Sequence, residues 1–119
     1  MDKDKLLQNT VLLQEYNQEL LEIYTKTYKE GNAADFYKVV KPYAEKVFTV
    51  VEQWKVNVLV WIDKERPKYL HPNQIENTVE NLTTVSVQAF FPDTKPKRFK
   101  ELIRSNQYIL ETISNYLTE

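Results

Sequence analysis

The sequence predicts an all-α fold, an antiparallel up-down-up-down four-helix bundle with a kink or break near Pro42. Three observations lead there. The chain has a single glycine, Gly31, whereas strand-rich folds need glycine in many hairpin turns. Four stretches repeat apolar residues at alternating three- and four-residue intervals, the period of one helix face. The prolines, at 42, 67, 72, 92 and 96, fall between those stretches or near their starts, where a helix can begin but not easily continue. The stripes are similar in length and the connections short, which favours antiparallel neighbours. A helical hairpin that dimerises is the rival architecture, but four amphipathic segments in one chain make it unnecessary. Residues 1–119 leave no room for two cores, so one domain is expected.

The first helix is expected over residues 4–30. Leu6, Leu13 and Leu20 lie seven apart, and Tyr16 and Ile23 fill the intervening positions. Gly31-Asn32 ends it, because glycine accepts the left-handed conformation of a C-cap. Asp35 is a candidate N-cap for a short helical entry through Phe36, Val39 and Val40. Pro42 disfavours helical geometry at Lys41, so a kink or fresh start is expected there. The second helix continues through Val47, Val50, Val51, Trp54, Val58 and Trp61, bounded by Pro67. Its β-branched residues are mediocre helix formers, and spacing carries it against propensity. The third starts at Pro72 or Asn73, steps through Ile75, Val79, Leu82, Val85 and Ala89, and ends at Pro92. Thr94 or Lys95 caps the fourth, which has Pro96 in its first turn. Its stripe is Phe99, Leu102, Ile103, Ile109, Leu110, Ile113, Tyr116 and Leu117.

Composition removes several function classes. Sixteen basic and 17 acidic residues give a net charge of −1, so no global field favours nucleic acid or an anionic membrane. No apolar run approaches the ~20 residues of a bilayer span. The opening Asp2-Lys3-Asp4-Lys5 lacks the features of a signal peptide, and a cytoplasmic chain without membrane association is expected. With no cysteine, disulfides, thiolate nucleophiles and cysteine metal sites are absent together. The one histidine, His71, precedes Pro72 and cannot build the Glu-x-x-His pairs of di-iron bundles. It reads as a capping or exposed residue, although its ordinary pKa would suit a pH switch. No phosphate-cradling loop, Gly-x-Ser-x-Gly elbow or His-Glu-x-x-His motif is present. Glu15, Glu19 and Glu22 share one side of the first helix and Glu76 and Glu80 are four apart, but such rows are ordinarily solvated. The expectation is no enzymatic activity, no cofactor, no metal and no catalytic residue.

Two patterns are candidates for function. In an up-down bundle one pole collects Lys26, Lys29, Lys38, Lys41, Lys95, Lys97, Arg98 and Lys100, partly offset by Glu30, Asp35, Asp93 and Glu101. The opposite pole carries Asp2, Asp4, Asp63, Glu65, Glu76 and Glu119 among its own lysines. Cations at the start of the fourth helix oppose its macrodipole, and exposed amides beside lysines would suit phosphate or carboxylate. Lys41, Lys95, Lys97, Arg98 and Lys100 are therefore candidate contacts for a partner or an anion. Tyr24, Tyr28, Phe36, Tyr37, Phe90, Phe91 and Phe99 belong to the same end. The plainer reading is that these rings close the core and the charges pair with local acids. The second pattern is a polar layer. Asn9, Asn57 and Asn106 occupy seam positions, and Thr78 or Tyr16 can join them. Such a layer fixes helix register at some cost in stability, or lines a small-ligand pocket in the bundle interior. Trp54 and Trp61, seven apart, should both face the core, while Tyr37, Tyr69 and Tyr108 are candidates for exposure.

Asp35-Phe36-Tyr37, Val40-Lys41-Pro42, Trp54, Leu70-His71, Gln74, Thr78-Val79-Glu80-Asn81 and Lys97-Arg98-Phe99 together resemble the YppE-like family, small proteins of Gram-positive bacteria. The resemblance implies a helical bundle and a cytoplasmic bacterial protein; it implies no activity and carries over no catalytic residue. The leading functional expectation is a non-enzymatic interaction or regulatory module, monomeric or homodimeric, that presents the basic pole or a helix face to an acidic protein partner. Phosphate or nucleic-acid binding at that pole is the alternative, and a small ligand or carboxylate-based enzyme in the bundle interior is a third.

Overall fold

Asp2 opens the first helix. Its carboxylate accepts from the Asp4 and Lys5 backbone N–H groups at 2.9 and 3.3 Å, satisfying two amides that a helix start leaves without partners. Helix α1 runs Lys3–Glu30 and stops at Gly31, whose φ of 73° needs no Cβ to be accommodated. The computed structural model describes residues 2–119, and over them the chain is all-helical.

The break near Pro42 takes the form of one widened turn. The Asp35 carboxylate accepts from the Lys38 N–H at 2.8 Å and begins a π-helical turn, Phe36–Val40, that runs directly into α2, Lys41–Glu65. Pro42 has no N–H to offer the Lys38 carbonyl, and in an α-turn its ring would crowd that oxygen. The chain instead widens by a residue: the Val40 N–H reaches back five residues to the Asp35 carbonyl at 3.2 Å, and Lys41 reaches back five to Phe36. Helix α3, Pro72–Gln88, begins with the His71 N–H donating to Gln74 Oε1 at 2.8 Å, one half of a capping box. Helix α4 spans Pro96–Thr118.

Each helix packs on its sequence neighbours, α1 also packs on α4, and α1 and α3 meet only across the diagonal. Three contacts fix the directions. Lys3 and Glu65 pair at 3.0 Å, joining the start of α1 to the end of α2. The Tyr24 hydroxyl donates to the Thr94 carbonyl, joining the end of α1 to the approach of α4. The Tyr116 hydroxyl donates to the Lys68 carbonyl at 2.6 Å, joining the end of α4 to the loop between α2 and α3. Neighbouring helices are therefore antiparallel, as the stripes predict.

The core falls into two clusters stacked along the bundle. One holds Leu6, Leu13, Trp54, Val58, Ile75, Leu82 and Ile113 among others. The second, toward the basic pole, holds Leu20, Tyr24, Val40, Val85, Phe90, Phe99 and Ile103. Both tryptophans are buried, and the Trp54 indole N–H donates to Thr10 Oγ1 at 3.1 Å. The buried face of α1 is Leu6, Asn9, Thr10, Leu13, Asn17, Leu20 and Tyr24. Tyr16 and Ile23, expected in the seam, are half-buried on its flank. The seam takes Asn17 and Tyr24 in their place because Asn17 finds hydrogen-bond partners inside and Tyr24 reaches the Thr94 carbonyl.

Candidate functional site

The start of α4 lacks the usual devices of a helix N-terminus. Lys95 holds the cap position and makes no side-chain cap bond, and no acidic residue lies in the first turn. Thr94, the other candidate cap, faces back instead: its hydroxyl donates to the Gln88 carbonyl at 2.8 Å and its amide to the Phe91 carbonyl at 3.2 Å. These bonds fold residues 91–94 tightly under α3 and leave Lys95, Lys97, Arg98 and Lys100 exposed. Phe99, between them, anchors the segment by stacking on Tyr24 at 4.3 Å between ring centres. Among the described residues, none of the four cations has a carboxylate within 4.0 Å. Lys41 differs: it sits 4.0 Å from Glu45, one turn along α2.

The aromatic residues of this pole divide into two sets. Tyr24, Phe90 and Phe99 are buried and close the end of the core. Phe36 and Tyr37 face outward from the π-helical turn, 46% and 76% exposed, with their rings edge-on at 5.2 Å, and Val39 and Tyr28 are exposed as well. Behind Phe36 and Tyr37 an open recess of about 480 Å³ is lined by Val40, Ala44, Phe48 and Val87 together with the Lys41–Glu45 pair. A second open recess, about 430 Å³, is lined by Gln88, Phe91, Asp93, Thr94, Lys95 and Arg98. Phe48, Val87 and Gln88 were not singled out by the sequence reading. Phe48 beside Val47, and Val87 two residues after Val85, widen their apolar faces beyond a two-helix seam, and that excess was the available signal.

The polar residues expected to form one layer are placed separately. Asn9, Thr78 and Asn106 are buried, while Asn57 is half-buried, and no hydrogen bond joins any of these four to another. Thr78 turns its hydroxyl to the Gln74 carbonyl of its own helix at 2.8 Å. Among the asparagines, the contact that crosses between helices uses Asn17: its Nδ2 donates to the Ile103 carbonyl at 3.0 Å, and Asn106 Nδ2 donates to Asn17 Oδ1 at 3.1 Å. Asn17 lies between Leu13 of one core cluster and Leu20 of the other, and Asn106 between Ile109 and Ile103 in the same way. Tyr43 packs against both clusters at that boundary, 5.8 Å from the Tyr16 ring and 5.4 Å from Phe90. Its hydroxyl has no hydrogen-bond partner among the described residues. Burial first, and the Glu19 carboxylate beside it second, hold the Tyr43 phenol well above the ordinary tyrosine value. Glu19 acts there as a repelling charge, since the geometry does not make it an acceptor of the hydroxyl.

The remaining candidates are surface features. His71 is exposed and contributes its backbone to the start of α3. Glu15, Glu19, Glu22, Glu76 and Glu80 are all exposed, and Glu76 pairs with Lys55 at 3.1 Å. At the opposite pole a hydrogen bond and the charge of Lys3 lower the pKa of Glu65. Tyr69 and Tyr108 are exposed, Tyr69 in the loop between α2 and α3 and Tyr108 along α4, away from its cationic first turn. No helix among the described residues is long and apolar enough to cross a membrane.

Comparison with known proteins places these features in a family. The model of a bacterial domain of unknown function, DUF1798, matches residues 10–117. The uncharacterised protein YppE of Bacillus subtilis (strain 168) is 29% identical over 117 residues, covering 92% of this chain and 94% of its own. A crystal structure of a Listeria innocua protein of unknown function superposes with a TM-score of 0.93 at 27% identity, over 98% of this chain and 93% of that one. The crystal structure of B. subtilis YppE gives a TM-score of 0.91 at 27% identity, over 97% of this chain and 94% of that one.

Proposed function

This chain belongs to the bacterial DUF1798 family, and on that premise we propose that it is a non-enzymatic interaction module whose docking surface is the basic pole and whose partner is an acidic protein of the bacterial cytoplasm. One observation carries the reading. Lys95, Lys97, Arg98 and Lys100 stand exposed on an uncapped helix start with no acid within ion-pairing distance among the described residues. They share that end of the bundle with the outward-facing Phe36 and Tyr37. Each cation near a helix N-terminus opposes the macrodipole by about 0.3–1 kcal/mol at low salt. A local stability loss without an internal gain fits a surface retained for an outside contact. Arginine and aromatic side chains are the residues that anchor protein interfaces. The sequence supports the non-enzymatic part through its lack of cysteine and of any recognisable nucleophile–base arrangement.

The test is affinity capture from a bacterial extract with the full chain as bait, with and without nuclease, against the Lys97→Glu/Arg98→Glu variant. A retained protein that survives nuclease and disappears with the charge reversal is the expected result. Retention removed by nuclease would move the pole to nucleic-acid binding, which also weakens steeply with salt. Capture that the reversal leaves unchanged would remove the basic pole from the account.

A further inference from the structure

The two recesses at the basic pole meet at a single turn. Val87 lines the apolar one and the next residue, Gln88, lines the cationic one, so the last turn of α3 is a saddle between them. We infer that this saddle takes a segment of a partner protein that carries an aromatic or large aliphatic residue and, close by in its sequence, carboxylates. The inference rests on the proposed reading of the basic pole and deepens it by naming what part of the partner is bound.

The chemistry of each recess sets what the segment carries. The more apolar recess is lined by Val40, Ala44, Phe48 and Val87 with the exposed rings of Phe36 and Tyr37, and the paired Lys41 and Glu45 close one side of it. Such a surface gains by covering apolar area and offers an anchor side chain a pocket to fill. The cationic recess holds Lys95 and Arg98 against one opposing acid, Asp93, with Lys97 and Lys100 on the same helix start. A guanidinium takes a carboxylate in paired hydrogen bonds, so an acid is the complementary group. A nucleic acid fits less well. The Phe36 and Tyr37 rings stand at 90° to each other and give no row of parallel faces for bases to stack on.

Random 12-residue peptides displayed on phage and selected on the immobilised full chain test this directly. Enrichment of peptides that combine an aromatic or leucine with nearby aspartate or glutamate is expected. The strongest peptide, synthesised with a fluorophore, would then be titrated by anisotropy. Tyr37→Ala, at an exposed position where folding is not at stake, should weaken it at least about tenfold, the scale of an interface anchor. Val87→Arg should block the apolar recess, with circular dichroism checking that the helices persist. Lys95→Glu/Arg98→Glu should weaken the peptide by a similar factor. If the double reversal abolishes binding while Tyr37→Ala and a folded Val87→Arg leave it unchanged, the two-recess segment is wrong and the basic pole stands. If none of the variants matters, both readings fall. Selection of basic peptides, or none above a serum albumin control, overturns the inference. So does a dimer in sedimentation that Tyr37→Ala dissociates, which would make a second copy the occupant. Competition by a 12-nucleotide thymidine oligomer that depends on Tyr37 would overturn it in favour of nucleic acid.

Discussion

Asn17 and Asn106 make the side-chain hydrogen bond that ties α1 to α4 in the interior, and the pair sits where the two core clusters meet. Removing one partner strands the other. Asn17→Ala should lower unfolding free energy by roughly 1–3 kcal/mol in urea titrations, because the buried Asn106 amide loses its partner while the Ile103 carbonyl stays within the α4 ladder. Replacing both by leucine should cost under about 1 kcal/mol or stabilise, since two apolar groups leave nothing unpaired. A double variant that lost as much as the single one would show the pair to be more than a register device. Tyr43 at the same boundary gives a pH signature. Its folded pKa lies above the ordinary 10, so its contribution to stability is fully present below pH 10 and declines as pH rises beyond it. Tyr43→Phe removes a hydroxyl without a partner and the titrating group together. The variant should match the wild type at pH 7 within about 0.5 kcal/mol and hold its denaturation midpoint better above pH 10. Asn106 is legible on the seam of α4, whereas the apolar stripe of α1 runs through Tyr16 and passes over Asn17, because apolar periodicity ranks a ring above an amide. The partner that makes Asn17 tolerable inside is Ile103 and Asn106, 86 and 89 residues away, which no local pattern records.

At the scale of elements, proline and capping residues made most boundaries legible. Asp35 caps the turn it was expected to cap, Gly31 ends α1, and Pro72 and Pro96 begin their helices. The break near Pro42 was legible as a break, but its form was not. Whether a helix stops, kinks or widens before a proline depends on which backbone pairs remain upstream, and here Val40 and Lys41 pair five residues back with Asp35 and Phe36. The fourth helix carries the clearest conflict between local stability and the proposed role. Lys95→Asp would add the missing cap and place a negative charge at the positive end of the dipole. It should raise stability by about 1 kcal/mol in thermal or urea denaturation. The same change should weaken partner capture, because it inverts one charge of the cationic recess. Gain of stability with capture intact would mean that the bare helix start serves no contact.

Across the whole molecule, one end is tied down and the other is left open. Lys3–Glu65 and Tyr116–Lys68 link the elements of the acidic pole to each other. At the basic pole the internal links run through backbone and buried rings, and the cations of α4 face outward. The bundle and its direction were readable from stripes and short connections. The clustering of cations at one pole followed once the chain was folded on that plan. Exposure of Tyr37 was among the expectations, but the outward turn of Phe36 and the recess behind both rings were not readable, because the rotation of that turn is set by the widened helix before Pro42. The most direct measurement is amide chemical-shift mapping of the isotope-labelled chain titrated with the captured partner. The account expects perturbations concentrated in residues 36–48 and 87–100, lost in Lys97→Glu/Arg98→Glu. Perturbations centred on residues 62–72, or along the outer faces of α1 and α4 away from that end, would contradict it.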